Sequence, residues 1–242
     1  MPHILELFAG TGSVGRAFRA AGWEVTSVDM DPKAKADITC DIMDFVPPQG
    51  VHYDHCHASP PCTEFSRALT TRPRDLAAGL RVAERALAII RELKPNTWTI
   101  ENPGSGLLPQ QASFKELPWK EVTYCRYGYR YRKLTWFGTN LGAFWEPREV
   151  CNSRNPCEHK VGNRHPESAQ RGPSRLKDGS LVGGKHSQNE LYSIPQELCN
   201  ELAAAATMAH LHSTSFLRLK ATAIQSAESL GENLRDLPGE PA

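Results

Sequence analysis

One thiol in this chain sits where a nucleophile would be built. In Ala58-Ser59-Pro60-Pro61-Cys62-Thr63-Glu64-Phe65-Ser66 two prolines stiffen the approach to Cys62, which lies just past an apolar run, and that geometry suits an exposed nucleophile. A thiolate is the reactive form and nearby cations or a helix N-terminus favour it; a helix expected downstream and Arg67 are the activators in view. A structural cysteine in a proline turn is the plainer alternative. Glu101, in Glu101-Asn102-Pro103, ends another apolar run, where partial burial would let a carboxyl hold or donate a proton. Its alternative is a helix-capping or surface acid.

The turn Phe8-Ala9-Gly10-Thr11-Gly12-Ser13 brings backbone close to a ligand at a helix N-terminus, where free amides and the dipole favour a carboxylate or phosphate. Asp29, at the end of the next run, would accept from ribose hydroxyls. This layout serves dinucleotides and S-adenosylmethionine alike, and a plain tight turn is the alternative.

The elements that must carry these residues follow from hydrophobic pattern. HILELF (residues 3 to 8) reads as strand and VGRAFRAAG as a helix stopping at Gly22. Val25 to Val28 is a strand ending in Asp29-Met30-Asp31-Pro32, with a further acidic stop at Asp41-Ile42. Val51 to Ala58 reads as a buried strand, Asp75 to Leu93 as a long helix and Thr97 to Ile100 as a strand. The alternation predicts an α/β fold with a doubly wound, mostly parallel sheet. In such a sheet Gly10 to Ser13, Asp29, Asp41, Pro60 to Cys62 and Glu101 fall at carboxyl strand ends around one crevice.

From about 140 to 190 Gly, Pro and basic residues dominate, predicting a small loop-rich insert. Cys151, Cys157, His159 and His165 offer two thiols and two imidazoles there, enough for a structural zinc, against ordinary loop residues. Ser193-Ile194-Pro195 opens a helical run, QELCNELAAAATMAHLH, before a polar, loosely held tail. The chain thus divides into 1–140, 141–190 and 191–242. Its 242 residues carry a formal charge of +1, which neither demands nor excludes nucleic acid. Seven scattered cysteines argue for free thiols, and the lack of a long apolar stretch argues for a soluble, intracellular protein.

The blocks LELFAGTGS, VTSVDMD with CDIMDF, SPPCTEFS and TIENP resemble, in order, those of the DNA cytosine-5 methyltransferase family, especially its compact phage and large-virus members. Tyr127 to Trp136 is similar to a fifth block, and the likeness spans roughly residues 3 to 140. It implies a Rossmann-like, S-adenosylmethionine-dependent methyltransferase acting on double-stranded DNA in the nucleus or the bacterial or viral-host cytoplasm. Cys62 would add to carbon 6 of a flipped cytosine, and Glu101 would contact N3 and the exocyclic amine. No residue is assigned to take the carbon 5 proton. Phe8 would stack near the adenine, and Gly10, Thr11, Gly12 and Ser13 would flank the amino acid part. Asp29 would hold the ribose and Asp41 the adenine amine, with Met30, Ile42 and Pro60 as neighbours.

Lys133 and Thr135 stand where the family pattern has two arginines, and Pro103 stands in place of valine. No counterpart of the family's closing asparagine block is evident, and the helix after Ile194-Pro195 is its candidate substitute. Arg67, Arg72, Arg74, Arg130, Arg132 and Lys133, interleaved with Tyr127, Tyr129, Tyr131 and Trp136, are candidate backbone and base contacts. RNA as substrate, a catalytically silent cofactor- or DNA-binding partner, and a NAD-binding module are the competing readings; the last leaves Pro60-Pro61-Cys62 unexplained.

Overall fold

A computed structural model describes residues 1–67, 69–169, 174–175, 178–182 and 186–235. Its centre is a seven-stranded sheet in the order β3-β2-β1-β4-β5-β7-β6. The strands are β1 (His3–Leu7), β2 (Glu24–Asp29), β3 (Ile38–Thr39), β4 (His55–Ala58), β5 (Thr97–Pro103), β6 (Trp119–Thr123) and β7 (Leu134–Thr139). The first five in spatial order run parallel, with Ile4 beside both Val25 and His55, and His55 beside Thr97. β7 enters antiparallel between β5 and β6 and pairs Glu101 with Phe137.

Helices cover both faces, which makes the sheet doubly wound. On one side α1 (Ser13–Ala20) packs with α4 (Gln196–Arg235) over Ile4, Val122, Tyr124 and Phe137, with Val14, Phe18, Leu198 and Leu202 buried between. On the other side α2 (Leu76–Leu93) buries Ala83, Ala86, Leu87, Ile89 and Ile90 against Leu5, Leu7, Val28 and Ile100. Each fully buried aliphatic side chain contributes about 1.5–3 kcal/mol relative to exposure. α2 starts where Asp75 caps it, its side chain accepting from the Ala78 amide at 2.9 Å, and ends at Lys94 in the left-handed region.

Between β2 and β3 lies a 3-10 turn, Pro32–Ala34. The structure departs from the sequence pattern in three places. The strand expected from Val51 starts only at His55. The antiparallel β6 and β7 were not anticipated. The final helix runs on to Arg235, past the end of the expected run at His212, so the backbone of that part of the tail is helical; residues 236–242 lie outside the described residues. In the insert, β8 (Ser174–Arg175) pairs with β9 (Leu181–Val182), and α3 (Gln188–Tyr192) is closed by a capping box between Ser187 and Glu190. No helix among the described residues is long and apolar enough to cross a membrane.

Candidate functional site

The carboxyl ends of β3, β2, β1, β4 and β5 stand side by side; Asp29 ends β2, Glu101 lies in the last half of β5, and the other three segments singled out in the sequence follow β1, β3 and β4. After β1 the chain turns sharply. Phe8 at φ 59°, Gly10 at 50° and Gly12 at 65° all lie in the left-handed region. A bulky residue such as Phe8 adopts that region at a cost of about 1–2 kcal/mol, and such strain concentrates at ligand loops. Gly12 is the N-cap of α1 and brings no capping side chain, so the first turn of the helix faces the crevice uncapped.

Asp29 braces this turn: its Oδ2 accepts from the Gly10 amide and its Oδ1 from the Asp31 amide, both at 2.8 Å. Each half-buried oxygen keeps a lone pair for a further donor. Asp41 Oδ1 accepts from the Met43 amide at 2.9 Å, while Ile42 is buried in the core on the α2 side, against which Phe8 also packs. Met30, next to Asp29, is 67% exposed. An apolar side chain left open beside two acids and a glycine turn suits a bound group with a flat apolar part.

The Cys62 loop is held from both sides. Asn102 Nδ2 donates to the Pro60 carbonyl at 3.0 Å, and the Leu107 amide to the Phe65 carbonyl at 3.0 Å, tying the loop to β5 and the segment after it. Glu64 accepts from the Asp75 amide at 2.7 Å and pairs with Arg72, and Arg74 donates to the Ser66 carbonyl at 2.7 Å. Gly79 of α2 lies so close that an added Cβ would sit 2.8 Å from Glu64 Cβ. Only a 3-10 turn, Thr63–Phe65, follows the thiol directly, so α2 is not the activator that the sequence suggested.

Glu101 is 7% exposed and lies beside two donors: the Tyr124 hydroxyl at 3.0 Å and the Lys133 ammonium at 3.8 Å. Burial holds the Tyr124 hydroxyl protonated far into the alkaline range, so it donates. Lys133 also donates to the Leu191 carbonyl at 3.2 Å and stands 4.7 Å from the Tyr124 ring centre. Burial raises the Cys62 thiol pKa, as does the Glu101 charge, while Lys133 lowers it. Lys133 is thus the cation that favours the thiolate, where Arg67 was expected, because β7 returns beside β5. Thr135, which stands where the family pattern has an arginine, lies wholly buried, its hydroxyl closed off from solvent.

The segment before α4 closes the crevice: besides the Leu191 carbonyl, the Ser193 hydroxyl reaches Thr11 Oγ1 at 3.4 Å. Sequence reasoning missed Tyr124 and Ser193; neither stands in a recognisable motif. Several expected nucleic-acid contacts are instead internal. Tyr127, Tyr131 and Trp136 are core residues, and Arg132 donates to the Cys151 carbonyl at 2.8 Å, whereas Arg130 stays on the surface, 3.4 Å from Glu167. Aromatic rings interleaved with bases suggested readout, but their apolar area buys more by packing the sheet.

The insert brings together Cys125, Cys151, Cys157 and His165, a group able to hold a metal ion, with one donor atom from each and all within 4.8 Å of one another. His159 stands outside this group, 3.5 Å from Glu158. Cys125 supplies the fourth donor because the turn after β6 carries it beneath the insert, which spacing within the insert alone did not reveal. All seven cysteines are free.

Over 218 residues the chain is 30% identical to the frog virus 3 (isolate Goorha) protein named probable DNA (cytosine-5)-methyltransferase, covering 83% of this chain and 98% of that relative. Similar solved structures include a Spodoptera frugiperda DNMT2 mutant, at 18% identity over 70% of this chain and 58% of that one, with a TM-score of 0.43. The Entamoeba histolytica methyltransferase EhMeth aligns at 11% identity over 90% of this chain and 99% of its own, also with a TM-score of 0.43. No family model matches the chain.

Proposed function

Because the chain belongs to the DNA (cytosine-5)-methyltransferase family, we propose that it transfers the methyl group of S-adenosylmethionine to carbon 5 of a cytosine in double-stranded DNA, with Cys62 as covalent nucleophile. The observation that carries this reading is the grouping of the Cys62 thiol, the Glu101 carboxylate and the Lys133 ammonium beside the glycine turn.

The residues at the adjoining strand ends fit the cofactor. The uncapped start of α1 suits its carboxylate, Asp29 keeps lone pairs for two ribose hydroxyls, and Phe8, Met30 and Ile42 offer apolar surface to an adenine whose amine Asp41 would accept. Thr11 and Ser13 would line the amino acid part, with Pro60 alongside. When bound, S-adenosylmethionine supplies an electrophilic methyl group.

The protein side of the reaction follows from the geometry. The cytosine is first flipped out of the duplex, at a cost of a few kcal/mol, since carbon 5 and carbon 6 are stacked inside it. In its thiolate form Cys62 bonds through sulfur to carbon 6. The electron pair of the 5,6 double bond then moves to carbon 5, with the charge shared by the ring and carbonyl. Glu101, holding a proton at N3 and accepting from the exocyclic amine, keeps the adduct a neutral enamine. Lys133 draws Cys62 toward thiolate and is the cation closest to the developing charge. After methyl transfer, departure of the carbon 5 proton restores the double bond as Cys62 leaves.

Residues 1–140 would carry this chemistry, 141–190 would face the target, and 191–242 would return to complete the crevice. Substrate DNA would place the protein inside the cell. The test is incubation with tritiated S-adenosylmethionine and duplex DNA, with RNA and Cys62→Ala as controls, followed by digestion to nucleosides. Label in 5-methylcytosine from DNA, absent with the variant, is expected. Label in RNA alone would move the substrate, and cofactor binding without label would sink the catalytic reading.

A further inference from the structure

We infer that Cys125, Cys151, Cys157 and His165 form a zinc site that fastens the insert to the turn after β6 that carries Tyr124. Tetrahedral zinc with Zn–S bonds of about 2.3 Å and Zn–N bonds of about 2.0 Å sets its donor atoms roughly 3.5 to 3.8 Å apart. His165 Nε2 lies 3.3 Å from Cys157 Sγ and 3.7 Å from Cys151 Sγ, and all four donor atoms fall within 4.8 Å. The three cysteines are buried and form a cluster of their own, apart from both apolar clusters of the sheet. Three thiolates and an imidazole select a borderline-soft cation, and four protein donors leave no open position, the mark of a structural site.

The surroundings show what such a site would hold. The Cys151 amide donates to Thr123 Oγ1 at 2.9 Å, so the insert's first ligand is tied to the last residue of β6. Cys125 directly follows Tyr124, the residue that donates to Glu101. Arg126 reaches up to the Glu149 and Asn155 carbonyls at 3.1 and 2.9 Å, and the Cys157 amide points at Cys151 Sγ at 3.3 Å. Amide donation to a cysteine sulfur stabilises a metal-bound thiolate. Among residues 146–169 few apolar side chains are buried, so the hydrophobic effect alone gives this segment little to fold around.

Binding would release the thiol protons to solvent, and no redox change is involved. The test is metal analysis of the full chain purified without chelator, then reconstituted with zinc or with cobalt(II). One zinc per chain, and visible cobalt absorption of a tetrahedral thiolate site, are expected. Cys125→Ser and Cys157→Ser should lose the metal, whereas His159→Ala should keep it. Chelation should expose the insert to limited proteolysis while circular dichroism of the sheet persists. Absence of bound zinc after reconstitution would overturn the site, as would a Cys151–Cys157 disulfide detected by alkylation and mass measurement in the purified protein. Metal lost in His159→Ala but retained in Cys125→Ser would replace this donor set with the one spacing suggested.

Discussion

Toward α2 the parallel strands present Leu5, Leu7, Val28, Cys56, Ala58 and Ile100; toward α1 and α4 the same strands present Glu6, His55, His57, Thr97, Thr99 and Glu101. Both faces are buried. On the second, burial is made tolerable by partners: His55 bonds Thr97 at 2.8 Å and Thr99 at 3.2 Å, and His57 bonds Thr99 at 2.7 Å and Ser59 at 2.9 Å. This ladder climbs β4 and β5 toward the Cys62 loop. Burial forces both imidazoles neutral, with His57 lowered to about 3. One face is thus a platform, and the other carries polar groups up to the crevice at the expense of stability.

The largest expected effect lies at the top of the polar face. Glu101→Gln should lower the rate of DNA methylation by about 10²- to 10⁴-fold, the usual contribution of a positioned proton donor, with little change in melting temperature. Wild-type turnover in that variant would erase the functional distinction between the faces. On the platform face, Leu87→Ala should cost about 2–5 kcal/mol in urea unfolding, because it empties a buried site, while activity per folded molecule stays unchanged.

Glu6, on the polar face, makes stability depend on pH. Burial raises its pKa from 4.5 to about 7, only partly offset by the Gly15 amide and the charges of Arg19 and Arg16. Between those values the folded chain holds a proton that the unfolded chain has lost, so this group's contribution to stability falls as pH rises through that window. Glu6→Gln should abolish that fall and be worth up to about 3 kcal/mol at pH 8 relative to pH 5. His57 acts oppositely, its contribution being lost as pH falls from 6.5 toward 3. Unfolding curves at both pH values check this, and equal slopes for wild type and variant would remove Glu6 from the account.

The smallest effect concerns the nucleophile itself. Glu101 raises the Cys62 pKa and Lys133 lowers it, so the pH profile of Cys62 alkylation should move down in Glu101→Gln and up in Lys133→Met. Profiles that do not move would mean that neither charge is felt at the sulfur.

By itself the sequence determined what depends on neighbours along the chain: the strand, glycine turn and helix of residues 3 to 20, Asp29 at the end of β2, the proline-stiffened Cys62 loop and the capped start of α2. Alternation and turn chemistry act over a few residues, so a linear pattern records them. Tertiary structure alone decided the rest. β7 enters antiparallel beside β5, bringing Lys133 to Glu101; β6 carries Tyr124 to the same carboxylate and Cys125 beneath the insert; the residues before α4 bring Ser193 to Thr11. Among those meetings the hydrogen-bonded partners stand 23 and 182 positions apart, and only the stacking of strands and helices joins them. Tyr127, Tyr131 and Trp136, which looked available for nucleic acid, were claimed by the core for the same reason. Packing is a competition for apolar area over the whole chain, and no local spacing states its outcome.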